Sequence, residues 1–262
     1  MPAYKQAQYI GDALDSLLNQ TYTNWEVAVV DDGSPDNVES IAKEYAAKDS
    51  RIKFHHTENG GVAHARNYGV SVTSGSFILP LDADDLFSPD YIEKCIGIFM
   101  SHPKTSLVYC QWEFFGTKKK LTKLKYLGYR DLLIENTIFC SAMFKREDFI
   151  KAGGYDEKIP YGYEDWELWL RLLNENSIVY QLEERLFKYR IKDISRSEDA
   201  NKAKNRLITN NYIYNKHKDK YNRYFPDIIS ELQQLHRLSL WKEKVQNRPV
   251  YKRLWHAIKG DL

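Results

Sequence analysis

The stretch SFILPLDADDLFSPDYI, residues 76–92, sets three carboxylates, Asp82, Asp84 and Asp85, directly after a run of mostly apolar residues. Like charges side by side resist ionising together unless water, hydrogen-bond donors or a cation relieves them. The apolar run reads as a strand buried on both faces, and Ser88-Pro89 as the N-cap and first residue of the next helix. On those terms the acids are either turn chemistry or a cation site. An EF-hand loop does not fit. Counting from Asp82, its oxygen-ligand and glycine positions would fall on Leu86 and Phe87.

Upstream, Ile10, Ala13, Leu14, Leu17 and Leu18 follow helical spacing, and WEVAVV (25–30) is a β-favouring run that ends at DDGSPD (31–36). Val38, Ile41, Ala42 and Tyr45 make a second helical face, RIKFHH (51–56) a short strand and VAHARNYGVSV (62–72) a third helix. Alternating helices and strands predict the α/β class, a mostly parallel sheet with covering helices. In such sheets ligands bind at the carboxyl ends of strands, where both DDGS and DADD fall, so two turns become one candidate site. The opening MPAYKQAQYI enters its helix within a few residues, so the first strand is expected to be missing or truncated, with the native start upstream of Met1.

Downstream, TSLVYCQWEFF (105–115) and TIFCSAMFK (137–145) read as strands and GTKKKLTKLKY (116–126) as an exposed basic loop. YEDWELWLRLL (163–173) reads as a helix with Trp166, Trp169, Leu170 and Leu173 on its buried side, followed by extended chain through RLFKYRI (185–191). From about residue 198 the texture becomes polar helix, which sets the expected boundary between residues 1–197 and a helical appendage, 198–262. In the tail RPVYKRLWHAIKG (248–260), Val250, Leu254, Trp255 and Ile258 share one helical side, a pattern that suits either peripheral membrane contact or packing on protein.

The 262 residues carry 38 Lys and Arg against 36 Asp and Glu, a formal charge of +2, so no global field draws the chain to nucleic acid. Nineteen tyrosines exceed what a core needs, and such excess often lines surfaces that stack on sugars or bases. Cys95, Cys110 and Cys140 sit in apolar runs without a C-x-x-C, which predicts buried reduced thiols and a cytoplasmic chain. No apolar run approaches the ~18 residues a membrane span needs. Neither G-x-G-x-x-G nor a Walker P-loop occurs, against a dinucleotide oxidoreductase or a kinase of those types.

Taken together, PAY (2–4), VVDDGSPD (29–36), NGGVAHARNYG (59–69), LPLDADD (79–85) and GGYDEKIPYGYEDWELWLR (153–171) resemble the family 2 glycosyltransferases of the inverting GT-A fold. The resemblance covers residues 2 to about 197 and implies a Rossmann-like domain, its nucleotide-binding half about 1–104 and its acceptor-binding half about 105–197. It implies transfer of a sugar, of the hexosyl or N-acetylhexosaminyl type, from a nucleotide-sugar to an acceptor hydroxyl. The UDP-sugars are the favoured donors, and sugars or lipid-linked oligosaccharides of capsule, O-antigen or exopolysaccharide synthesis the acceptors. The rival class is a non-catalytic nucleotide-sugar or glycan-binding relative, against which intact Asp82, Asp84 and Asp165 speak.

By the same resemblance, Asp82 and Asp84, flanking Ala83, hold Mn2+ or Mg2+ on the donor diphosphate, and Asp85 is supporting or turn chemistry. Pro2, Ala3 and Tyr4 lie near the base, Asp31 accepts a hydrogen bond from it with Asp32 in support, and Arg66 is a second donor-side candidate. Asp165 is the expected general base, with Glu164 on sugar hydroxyls; on residue chemistry alone both acids also suit a helix N-terminus. One departure stands out: the family often carries Tyr-Arg-x-His after the last catalytic strand, and here Lys192 takes the His place. Arg190, Lys192 or Arg196 suits a diphosphate, but a protonated Lys has no lone pair for a metal.

Overall fold

The computed structural model describes residues 1–117, 120–121, 125–192, 200 and 202–246. Arg196 and the 248–260 tail, with its expected amphipathic helix, lie outside the described residues. The chain divides into two compact units, Met1–Ile213 and Tyr214–Leu262.

The first unit opens with β1 (Pro2–Ala3), α1 (Ile10–Leu18), β2 (Val27–Asp32), α2 (Val38–Lys48), β3 (Ile52–Thr57) and α3 (Gly61–Ser71). The three strands form a parallel sheet in the order β1-β2-β3, and the first strand is present but only two residues long, pairing Pro2 with Val30 and Ala3 with Asp31. β2 is buried along nearly its whole length because its alternating side chains serve two cores. Val29 packs with Ile10, Leu14, Val38 and Ala42 of α1 and α2, whereas Ala28 and Val30 pack with Ala65 of α3. The α1 residues Ile10, Ala13, Leu14 and Leu17 are its buried face, as their spacing requires.

The second sheet is mixed. It contains β4 (Phe77–Ile78), β5 (Leu86–Phe87), β6 (Thr105–Gly116), β8 (Met143–Lys145) and β9 (Ile178–Ile191) in the order β4-β8-β6-β9-β5, with β7 (Lys120–Leu121) paired to β6. Only β6 and β9 run parallel; the remaining pairs are antiparallel. Its core gathers Phe87, Val108, Trp112, Met143 and Phe187 with Tyr91 and Cys95 of α4 (Tyr91–Ser101). Two expected strands are shorter than their apolar runs. SFILPL yields only Phe77–Ile78, since Pro80 has no N–H for a ladder. In TIFCSAMFK only Met143–Lys145 pairs, and side chains satisfy the backbone before it: Tyr91 donates to the Ser141 carbonyl at 2.7 Å and Trp169 Nε1 to the Ile138 carbonyl at 3.2 Å.

Between the sheets' helices, α5 (Tyr129–Leu132) and α6 (Arg146–Ala152) lead to α7 (Glu164–Leu172), which buries Trp166, Leu168, Trp169 and Leu170. Glu167 of α7 is fully buried, and Arg171 one turn on donates to it at 2.6 Å. All three cysteines are buried and free. Among the described residues no helix is long and apolar enough to cross a membrane. The second unit contains the helices Lys218–Tyr224 and Ile228–Gln246, with the Tyr214 and Tyr221 rings 5.2 Å apart.

Candidate active site

The DDGS turn is held by its own acids. Asp31, 2% exposed, accepts from the Ser34 amide through Oδ1 and meets His56 Nδ1 through Oδ2, both at 2.9 Å. Asp32 accepts from the Gly60 and Gly61 amides at 2.8 and 2.9 Å, which anchors the start of α3 through donors no helix can satisfy internally. Gly33 adopts φ +70°, and a Cβ there would stand 3.0 Å from the Asn59 nitrogen. Tyr4, just beyond β1, is 42% exposed.

The DADD loop is surrounded by cations of the chain. Arg66 Nη2, from α3, donates to Asp82 Oδ1 at 2.7 Å, and Lys192 Nζ, just past β9, lies 2.5 Å from Asp84 Oδ2. Burial raises the Asp84 carboxyl above its ordinary range, Lys192 opposes that rise, and Asp82 adds to it. Asp85 is buried and accepts from the Arg190 amide at 2.8 Å through Oδ1, while its Oδ2 has no partner among the described residues. Burial, reinforced by Asp84 and Asp82, pushes its carboxyl well up, and through the Arg190 amide Asp85 braces the loop from beneath. The Arg190 side chain grips the loop's backbone, Nε on the Asp84 carbonyl and Nη2 on Asp12, each at 2.8 Å.

Opposite stands the start of α7. Tyr161, Gly162 and Tyr163 all have positive φ, at 54°, 101° and 64°, and this left-handed run turns Glu164 and Asp165 inward. Glu164 Oε1 accepts from Arg66 Nη1 at 2.7 Å. Asp165 accepts from the Trp166 amide at 2.7 Å and from Asn136 Nδ2 at 3.1 Å. Burial and the neighbouring Glu164 charge push the Asp165 carboxyl up to about 7. A carboxyl poised there takes protons readily near neutral pH.

A cavity of about 540 Å³ joins the two sides, lined by Pro2, Ala3, Tyr4, Asp32, Arg66 and Asp82, and also by Ala83, Asp84, Glu164, Asp165 and Lys192. Of the residues singled out in the sequence, Asp31, Asp85 and Arg190 lie outside this lining and act on the loops that shape it. Asn136 and Gln6, which line it too, carried no sequence signal. Asp165 meets Asn136, and Lys192 donates to Gln6 Oε1 at 3.1 Å.

No cluster of three metal-ligating side chains occurs among the described residues. A small hard cation on a diphosphate does not need one, because one or two carboxylates suffice when phosphate oxygens complete the shell. The hard oxygens of Asp82 and Asp84, with the unpartnered Asp85 Oδ2 behind them, fit such an ion.

Residues 1–153 match the family described as Glycosyl transferase family 2, and residues 124–193 match one described as N-terminal domain of galactosyltransferase. An uncharacterised glycosyltransferase of Rickettsia typhi is 34% identical over 219 residues, covering 79% of this chain and 66% of that protein. The minor teichoic acid biosynthesis protein GgaB of Bacillus subtilis is 29% identical over 245 residues, 89% of this chain and 27% of that protein. The chain thus spans less than two thirds of either relative's length. Among solved structures, S. aureus TarS 1–349 in complex with UDP-GlcNAc has TM-score 0.66 at 17% identity, covering 86% of this chain and 71% of that one. The mannosyltransferase PcManGT of Pyrobaculum calidifontis, in complex with GDP-Man and Mn2+, has TM-score 0.58 at 18% identity, covering 99% and 82%. At these identities the likeness establishes the GT-A fold.

Proposed function

The chain belongs to glycosyl transferase family 2, and from that premise we propose that it moves a sugar from a nucleotide-sugar, of the UDP class, to an acceptor hydroxyl with inversion. Residues 1 to about 104 bind the donor and 105–197 the acceptor. The observation that carries the reading is the convergence of Asp82, Asp84 and Asp165 on one cavity, with the Asp165 carboxyl raised to about 7.

In this reading Tyr4 offers a ring to the base, the DDGS turn shapes the base and ribose pocket, and Asp82 and Asp84 would hold Mn2+ or Mg2+. The bound ion supplies charge neutralisation for the departing nucleoside diphosphate. Asp165 takes the acceptor hydroxyl proton as its oxygen bonds to the anomeric carbon, while the bond from that carbon to the phosphate oxygen breaks on the opposite face. Glu164, held by Arg66, orients sugar hydroxyls. No covalent enzyme intermediate is required.

The relation to a teichoic acid biosynthesis protein supports an acceptor in bacterial cell-surface polysaccharide. Incubation with a panel of UDP-, GDP- and dTDP-sugars and Mn2+, read by released nucleoside diphosphate, tests the proposal. Release from one donor class, stimulated by acceptor, is expected; binding without release from any donor marks a non-catalytic relative.

A further inference from the structure

Two cations line the cavity among the described residues, and they differ in freedom. Arg66 is 5% exposed and its guanidinium spans Asp82 and Glu164, so moving it to a third partner breaks an existing charge-assisted bond. Lys192 ends a flexible four-carbon stem, and its ammonium contacts Asp84 at 2.5 Å and Gln6 at 3.1 Å beside the Tyr9 ring. The pair is enclosed, with the Lys192 side chain 18% and the Asp84 side chain 16% exposed. Solvent therefore screens it only partly.

We propose that Lys192 is the built-in counter-ion of the donor site: it holds Asp84 in the free protein, yields that carboxylate to a divalent cation, and then pairs with the donor diphosphate. This deepens the glycosyltransferase reading and rests on it.

An ammonium has no lone pair, so it cannot join Asp84 in a metal's coordination shell. Two cations crowded on one carboxylate repel, so an ion arriving at Asp84 Oδ2 competes with Lys192. The displaced ammonium remains beside the loop, where a diphosphate adds the negative charge it lost, and charge-assisted hydrogen bonds to phosphate suit it. Arg190 is placed differently: its guanidinium meets the Asp84 carbonyl and Asp12 rather than the Asp84 carboxylate.

The test compares wild type, Lys192→Met, which keeps the length without the charge, and Lys192→Arg, which keeps the charge. Mn2+ binding to nucleotide-free protein is read by electron paramagnetic resonance, and UDP binding at saturating Mn2+ by calorimetry. Lys192→Met is expected to bind Mn2+ roughly tenfold more tightly and UDP at saturating Mn2+ roughly tenfold more weakly, with Lys192→Arg near wild type in both. A general packing defect would weaken both ligands together. Mn2+ affinity unchanged or weaker in Lys192→Met overturns the competition, and unchanged UDP affinity overturns the hand-over. GDP and dTDP run in parallel: if no nucleotide binds even with Mn2+, the donor reading itself fails, whereas the Mn2+ comparison still decides the competition.

Discussion

Arg66 and Glu164 lie 98 positions apart in the chain, yet Nη1 of one stands 2.7 Å from Oε1 of the other. The same guanidinium holds Asp82, so one buried cation ties the DADD loop to the start of α7. Positions of the expected metal ligands and the expected base are thereby mechanically linked.

Removing that tie takes a buried counter-charge away from Glu164, which is buried, and from Asp82, which is partly exposed. Arg66→Met is expected to lower unfolding stability by about 3 kcal/mol or more, the usual consequence of stranding one member of a buried pair. Adding Glu164→Gln, which removes one stranded charge, should recover part of the loss. Urea unfolding of the two singles and the double checks this, and purely additive losses would contradict the link.

Because burial holds the Asp165 carboxyl near 7, the proposed base is protonated and idle below that pH. Turnover is expected to rise with pH through about 7 and level off above it. The stability sign is opposite. A carboxyl whose folded value exceeds its unfolded one favours the fold when protonated, so that contribution is lost as pH rises through about 7. Paired rate and melting profiles from about pH 5.5 to about pH 8.5 test both signs; a flat rate profile contradicts the assignment.

Two glycine substitutions should differ in sign. Gly33→Ala places a Cβ on a φ of +70° and 3.0 Å from the Asn59 nitrogen, for an expected loss of about 1–2 kcal/mol together with weaker donor binding. Gly97→Ala, inside α4 with nothing within 4 Å of the added carbon, should gain about 0.5–1 kcal/mol. Thermal melts of both decide it.

Periodicity made much of this architecture legible. The spacing of Ile10, Ala13, Leu14 and Leu17, and of Trp166, Trp169 and Leu170, marks faces that are indeed buried. The run WEVAVV overlaps β2, whose carboxyl end carries the DDGS turn. Strand extents were less legible, because whether Leu79 or Phe139 joins a ladder depends on which groups elsewhere satisfy its neighbours. The candidate site's acids stood out as local clusters and Arg66 and Lys192 as nearby cations, whereas which groups each cation meets did not. Arg66 reaches Glu164 across 98 positions and Lys192 reaches Gln6 across 186, and no local pattern encodes either pairing. Asn136 in a loop and Glu167 on the buried side of α7 look like ordinary polar residues until packing places them.

Asp165 is proposed to take the proton while the DADD loop binds the donor, and Asp165→Asn separates the two. Asn keeps the size of the side chain but cannot accept the proton. Nucleoside diphosphate release with acceptor present, measured beside donor affinity on the same preparation, is predicted to fall by at least ~10²-fold while donor binding stays close to wild type. Asp165→Asn that turns over near the wild-type rate, with Glu164→Gln inactive, would place the base on the neighbouring acid; both variants active would reduce the pair to anions at a helix N-terminus.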